Sequence, residues 1–365
     1  MTAMKVLLLK PEDVEWKSFL ERCEHDFYHR PEYVEVEARR MAGEPRAILI
    51  EEGEYCFFLP LIFRPIIISG ENLPGVEQAK DALSPYGYPC PLILDPGRPE
   101  DAGDFLCSAL EAMKVEMASQ KVCSAFVRLH PLLEINTDIL SSYGELVENG
   151  DTIWIDLTLT ESELWRQTRS RFRSQINSAK KKGALVRRDE NFSWLSRFVE
   201  LYDETMDHVE AEEWYHFGLD YFSELKNNLG EHLNLFLLEE QEDVLCAGLF
   251  TECSGIVQYH LSGTSPQARN KNYLKVMIDT VRWWAKERGN KTFHLGGGVG
   301  AREDSLFFFK SGFSKLRSTF YTWRIVCDEE IYQLATNYWE HLTGLPAGDK
   351  RDFFPPYRKS FQNKT

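Results

Sequence analysis

Apolar positions along this chain change period several times, and the changes mark out the expected elements. Alternating or continuous apolar runs bounded by turn residues predict strands at 4–10, 45–51, 55–63, 122–130 and 152–157 in the first half. Helical spacing predicts helices at 11–23, 29–43 and 99–120. Residues 66–82 read as irregular. The three prolines and one glycine of SPYGYPCPL (84–92) exclude a regular element there. In the second half, Thr160 and Glu163 form a capping box. The helix they open is predicted to run to Lys182 and stop at Gly183, with Leu164, Thr168, Phe172, Ile176 and Ala179 on its apolar face. Helices are expected at 192–208, 215–229 and 273–288, a three-strand meander at 233–239, 244–252 and 256–262, and a strand at 291–295. That strand runs into Gly296, Gly297 and Gly298. After Asp304 and Ser305 a short helix ends at Lys310 and Gly312, then a strand (319–327), a helix (329–342) and a polar tail from 346 with a frayed end.

A helix between a meander and a parallel-looking strand is the layout of an N-acetyltransferase-type fold, and the first half repeats the order roughly. The expectation is therefore an α/β (α+β) chain of two tandem acyl-CoA N-acyltransferase-like domains, with mixed sheets flanked by helices. Their limits are read as 1–150 and 151–345, with the tail at 346–365.

Composition narrows the class. The chain has 365 residues, 43% hydrophobic and 13% aromatic, enough for two ordinary cores. No run reaches the ~18 apolar residues of a membrane helix, and the N-terminus lacks the pattern of a signal peptide. The eight cysteines are scattered without zinc spacings, so no metal is expected and reduced thiols of a cytoplasmic protein are. The net charge of −15 is uneven: nine of the 42 Lys/Arg lie between Leu164 and Arg188, and none of the 57 Asp/Glu does. Such a segment suits an anion, through Arg169, Arg171 and Arg173, or is a solvated helix face whose Lys180–Lys182 end complements the helix dipole.

Three separated blocks resemble FemAB-type transferases of the acetyltransferase-like superfamily. They are LWRQTRSRFRSQINSAKKKGALV (164–186), YHLSGTS (259–265), and FHLGGG with DSLFFFKSGF (293–298 and 304–313). In the first half HRPEY (29–33) and SPYGYPCPL are similar to wider relatives. The resemblance implies transfer of an amino acid from aminoacyl-tRNA to an amine of a peptidoglycan or other cell-envelope precursor, without a bound cofactor. It places the family's functional lysine on Lys310, between Phe309 and Phe313. Tyr259, Ser262 and Thr264 of the second block are candidate substrate contacts, as are Tyr86 and Tyr88 on their proline-rich loop.

An amine attacking an ester or thioester passes through an oxyanion, which Lys310 could stabilise. Gly296, Gly297 and Gly298 would let backbone approach the donor, or simply make a tight turn. His260, His294 and Asp304 are candidates for proton transfer. The stretch 267–272 (QARNKN) has no glycine where acetyl-CoA enzymes of this fold cradle pyrophosphate, which argues against acetyl-CoA and fits an aminoacyl-tRNA or a differently bound acyl donor. For tRNA the basic segment 164–188 is the natural contact, and the same segment would also suit a nucleotide-diphosphate sugar or an anionic leaflet. Two alternatives stay open: acyl-CoA transfer to an amino sugar of a surface polysaccharide, and a non-catalytic protein that binds an anionic polymer or RNA.

Overall fold

The computed structural model describes residues 3–97, 99–348 and 353–359. It divides into two compact units, Met1–Asn149 with Phe320–Thr365, and Gly150–Thr319. The chain passes from the first unit to the second and back again. This division differs from the expected limits of 1–150 and 151–345, because everything after residue 319 belongs with the N-terminal part.

The first unit is built from β1 (Lys5–Leu9), α1 (Val14–Leu20), α2 (Pro31–Arg40), β2 (Glu44–Glu52), β3 (Tyr55–Pro65), the short pair β4 (Ile67–Ile68) and β5 (Glu71–Asn72), β6 (Lys80–Leu83), β7 (Leu92–Leu94), α3 (Pro99–Ser119), β8 (Val122–Arg128) and α4 (Thr137–Ser141). The strand β9 (Glu145–Asp156) carries the chain onward. The second unit continues with α5 (Glu161–Gln167), α6 (Ser170–Lys181), β10 (Leu185–Arg188), α7 (Leu195–His208), α8 (Leu219–Leu229), β11 (Leu233–Glu240), β12 (Asp243–Cys253), β13 (Ile256–Thr264), α9 (Tyr273–Glu287), β14 (Thr292–Gly296) and α10 (Ser305–Lys310). The strand β15 (Leu316–Val326) leads back, and α11 (Glu329–Thr343) follows it.

Within the first unit the strand order is β1-β2-β3-β6-β8-β15. Every neighbouring pair is antiparallel except β6 and β8, which are joined through α3 and run parallel. Residues 56–63 of β3 are buried without a break, which explains a continuous apolar run in place of alternation. Within the second unit the order is β9-β14-β13-β12-β11-β10. Again a single pair, β13 and β14, is parallel, and α9 connects it. Both units therefore have antiparallel strands, a helix, a parallel strand and a closing antiparallel strand, as the tandem N-acyltransferase-like expectation requires. The closing strands are interleaved: residues 322–326 of β15 close against β8, and residues 153–156 of β9 close against β14.

Several details differ from the expectation, among them the short elements β7, which begins at Leu92 in the 84–92 stretch read as irregular, and α4. The stretch 66–82, read as irregular, contains the β4–β5 pair and, from Lys80, the start of β6; the charged start of β6 hides the strand, and Asp81 is buried between Arg64 and Arg358. The four residues of β10, at the end of the basic segment, pair with β11. The single helix expected from Thr160 to Lys182 is two helices, broken at Thr168 and Arg169, whose ψ angles of 129° and 136° are extended. The tail is not simply frayed over its described part. Phe354 and Tyr357 are buried, the Tyr357 hydroxyl lies 2.8 Å from Ser124 Oγ, and Arg358 Nε donates to Asp81 at 2.6 Å. The expected frayed end at 360–365 lies outside the described residues.

Candidate functional site

The candidate cleft is placed in the second unit, where the parallel pairing of β13 and β14 ends beside a bulge. Among the described residues β13 and β14 pair in three places, Ile256 with Thr292, Val257 with Phe293 and Gln258 with His294. Beyond them, on the β12 side, Phe250 pairs with Tyr259 but Leu249 with Leu261, so His260 is an extra residue in β13. An extra residue bends a strand and raises its twist, and here β13 bends where its pairing with β14 stops. Crevices outside the carboxyl ends of parallel strands are where open α/β sheets hold ligands. The bulge also rearranges side chains. Residues three apart point to opposite faces of a regular strand, yet the hydroxyls of Tyr259 and Ser262 are hydrogen-bonded to each other. Tyr259 stacks on Phe250, with ring centroids 5.6 Å apart.

Lys310 reaches this place from the last turn of α10. Its Nζ donates to the carbonyl oxygen of Gly297 at 2.7 Å and lies 5.5 Å from the centre of the Tyr259 ring. The residue is 8% exposed. Burial pushes its amine down to about 7, against the opposing pull of the Asp304 carboxylate. Asp304 itself is the N-cap of α10: Oδ1 accepts from the Phe307 N–H and Oδ2 from the Val299 N–H, each at 2.9 Å. Burial works to raise its carboxyl, but the backbone N–H groups of Phe307, Val299 and Leu306 outweigh that and hold it below the usual range. Asp304 is thus an anchor and a charge near Lys310, with its oxygens committed to backbone.

The three glycines make the turn that presents the Gly297 carbonyl. Gly296 has φ +76°, a conformation that costs a side chain. A Cβ on Gly298 would fall within contact distance of Arg302 O and Asp304 Oδ1. Their close neighbour is the chain itself. His294 is buried in the paired part of the strands, with Nδ1 2.6 Å from Gln258 Oε1. Thr264 is fastened to α7: its N–H donates to Thr205 Oγ1 at 3.0 Å and its hydroxyl to Cys246 Sγ at 3.4 Å.

The basic segment meets α10 at the helix break. The Arg169 N–H donates to Gly312 O at 2.8 Å and its Nη2 to Ser311 Oγ at 3.2 Å. Phe172 packs with Phe309 and Phe313 at 5.9 and 5.4 Å between centroids, with Lys275 Nζ 4.6 Å above its ring. The nine cations divide. Lys180 pairs with Asp279, Arg187 with Glu239 and Arg188 with Glu190. Among the described residues Arg171, Arg173, Lys181 and Lys182 have no ion-pair partner, and Arg171 is exposed. In the 267–272 stretch, Asn272 takes a left-handed φ of 63° ahead of α9, Lys275 Nζ donates to Asn272 Oδ1 at 2.6 Å, and Lys271 pairs with Glu240.

The sequence reading missed Arg282, which is fully buried in α9. Its guanidinium pairs with Asp279, and its Nη1 donates to Thr168 Oγ1 at 2.8 Å and to Leu164 O at 3.4 Å. The indoles of Trp283 and Trp165 lie 4.7 and 5.9 Å away. A charged residue in the buried stripe of a helix, at Val281–Arg282–Trp283, was the available signal.

Tyr86 and Tyr88 lie in the first unit, on a packed loop. The Tyr86 carbonyl accepts from Tyr33 OH at 2.8 Å, and Tyr88 packs edge-on against Tyr28 and Phe320. Next to it, His130 Nε2 sits 3.0 Å from Asp26 Oδ2, while its Nδ1 accepts the N–H groups of Leu132 and Leu133. Both ring nitrogens are engaged, so this pair fixes backbone. Among the described residues no group of His, Cys, Asp and Glu could hold a metal, and no helix is long and apolar enough to cross a membrane.

No protein-family model and no curated protein matches the chain. Solved structures do. FemX is 15% identical over 90% of this chain and 99% of its own, with a TM-score of 0.67. L-PGS from Bacillus licheniformis is 16% identical over 88% and 93%, with a TM-score of 0.55. The C-terminal domain of a putative lysylphosphatidylglycerol synthetase from Agrobacterium fabrum is 15% identical over 89% and 94%, with a TM-score of 0.54. At these identities the likeness establishes the fold, and it is the fold that the FemAB resemblance implies.

Proposed function

We propose that this chain is an aminoacyltransferase that moves an aminoacyl group from aminoacyl-tRNA to an amine of a cell-envelope precursor. The observation that carries the reading is Lys310, a buried amine with a pKa near 7, held on the Gly297 carbonyl beside the opening between β13 and β14. Support comes from the fold shared with FemX and from the unpaired cations of α6, which suit an RNA backbone.

The chemistry needs a proton taken and returned. An ordinary acceptor amine is protonated near pH 7, and only its neutral form attacks. As the C–N bond forms, neutral Lys310 takes a proton from the attacking nitrogen. As the C–O bond of the ester breaks, the lysine ammonium gives the proton to the leaving oxygen, which restores the neutral amine. A group titrating near the working pH suits both halves. The hydroxyls of Tyr259 and Ser262 and the ammonium itself are the candidate donors to the oxyanion between the two steps. Burial holds the Tyr259 phenol well above its ordinary pKa and hence protonated. His260 and Asp304 need no proton role in this scheme.

The test is transfer of label from a pool of radiolabelled aminoacyl-tRNAs to a nucleotide-linked peptidoglycan precursor. Lys310→Ala is expected to lower turnover roughly hundredfold while remaining folded; full activity in that variant would sink the reading. Label that reaches an amino sugar from acyl-CoA instead would replace the donor and acceptor. No turnover with either donor, with salt-sensitive RNA binding retained, would leave a binding protein.

A further inference from the structure

The break between α5 and α6 is held from below, and what it holds is the end of α10. In an uninterrupted helix the Arg169 N–H would donate to the carbonyl of Trp165. Here it donates to Gly312 O, two residues beyond Lys310. The turn at Gly312 is tight: a Cβ there would strike the Phe172 ring. So α10 is fixed at its start by the Asp304 cap and at its end by Arg169. The break keeps its shape because the Thr168 hydroxyl is clamped between Leu164 O, to which it donates at 3.3 Å, and Arg282 Nη1, which donates to it at 2.8 Å. Arg282 has no exposed surface, and its charge is balanced by Asp279, which also receives Lys180 at 2.6 Å.

We propose that Arg282 is a positioning residue for Lys310, acting through Thr168 and the Arg169–Gly312 hydrogen bond. It does not touch the cleft. It keeps the helix broken, and the break supplies the N–H that sets where α10 ends and hence where the lysine amine meets the Gly297 carbonyl. The inference rests on the role given to Lys310 above, so its test reads the amine directly and needs no substrate. If α10 loses its anchor, water reaches the amine and its titration moves up towards that of an ordinary lysine.

The experiment is pH-dependent acylation of the full chain with acetic anhydride, with Lys310 modification read by peptide mass spectrometry against the other lysines. The unaltered protein should show half-maximal reactivity of Lys310 near pH 7. Thr168→Val, which removes the hydroxyl at nearly constant volume, should move that midpoint up by roughly one unit or more, towards the ordinary lysine value of about 10.4. Thr168→Ser, which keeps the hydroxyl, should leave it in place. Arg282→Lys keeps a cation beside Asp279 but lacks the fork that reaches Thr168, so it should act as Thr168→Val does. It also covers the case in which the valine variant fails to fold. A low midpoint in the unaltered protein that neither Thr168→Val nor Arg282→Lys moves would overturn the positioning role alone. An ordinary lysine midpoint in the unaltered protein would overturn the reading of Lys310 and this inference with it.

Discussion

At the scale of single residues, Lys310 is set apart by the near absence of water around its amine. One charge opposes that effect. Asp304 favours the ammonium, so removing the charge while keeping the cap has a defined sign. Asp304→Asn keeps one acceptor oxygen for the capping N–H of Phe307, gives up the bond from the Val299 N–H, and no longer stabilises the cation. The lysine should then deprotonate at lower pH, and the rising limb of transfer activity, which needs the neutral amine, should move below pH 7. A pH–rate profile checks this; a limb moving upward would contradict the electrostatics described. The sequence revealed the residue and not the cause of its state. Lys310 stood out through the block FFFKSGF, whereas burial of its amine depends on Gly297 and Tyr259, which are 13 and 51 positions away in the chain. The glycines before it were legible as a special turn, and their close packing against Arg302, Asp304 and Asp151 was not.

At the scale of elements, most of the order was written in periodicity, and the errors share one origin. Leu164, Thr168, Phe172 and Ile176 keep four-residue spacing straight across the α5–α6 break, because one extended turn at Thr168 and Arg169 preserves which face points inward. No local pattern reports that Gly312 lies ready to accept the Arg169 N–H. Similarly β6 begins with Lys80 and Asp81, whose burial is tolerable because Arg64 and Arg358 arrive from elsewhere. Contact between α7 and β13 gives an element-level prediction. A Cβ on Gly263 would overlap backbone atoms of Leu201 and Tyr202, which cannot rotate away. Gly263→Ala should therefore lift α7 off the sheet and cost about 3 kcal/mol. Urea unfolding would show this as a lower midpoint, and an unchanged midpoint would mean that α7 is not seated as described.

At the scale of the whole molecule, two N-acyltransferase-like layouts could be inferred from the order of strands and helices, but their boundaries could not. A linear reading assigns each stretch to the half in which it falls. The strand that closes the second unit instead leads out of the first, ahead of α5, and the strand that closes the first comes after α10 of the second; nothing in the composition of 145–156 or 316–326 announces which neighbour each joins. Cutting the chain at the unit limits therefore has unequal results. Residues 150–319 contain all six strands of their unit, counting 150–156, and should give a soluble fragment with a cooperative thermal transition. Residues 1–149 alone leave the edge of β8 bare and lack Tyr357 and Arg358, so they should aggregate. A soluble, cooperatively melting 1–149 fragment would count against the interleaved division.

The same interleaving sets an order during synthesis. Domains commonly fold as they leave the ribosome, the N-terminal one first. Here every residue of the second unit has been made once position 319 is reached, while the first unit still waits for the strand that covers β8 and for the tail that neutralises Asp81. The half that is translated first is the half that is finished last, and until then it must be kept from pairing its open edge with another nascent chain.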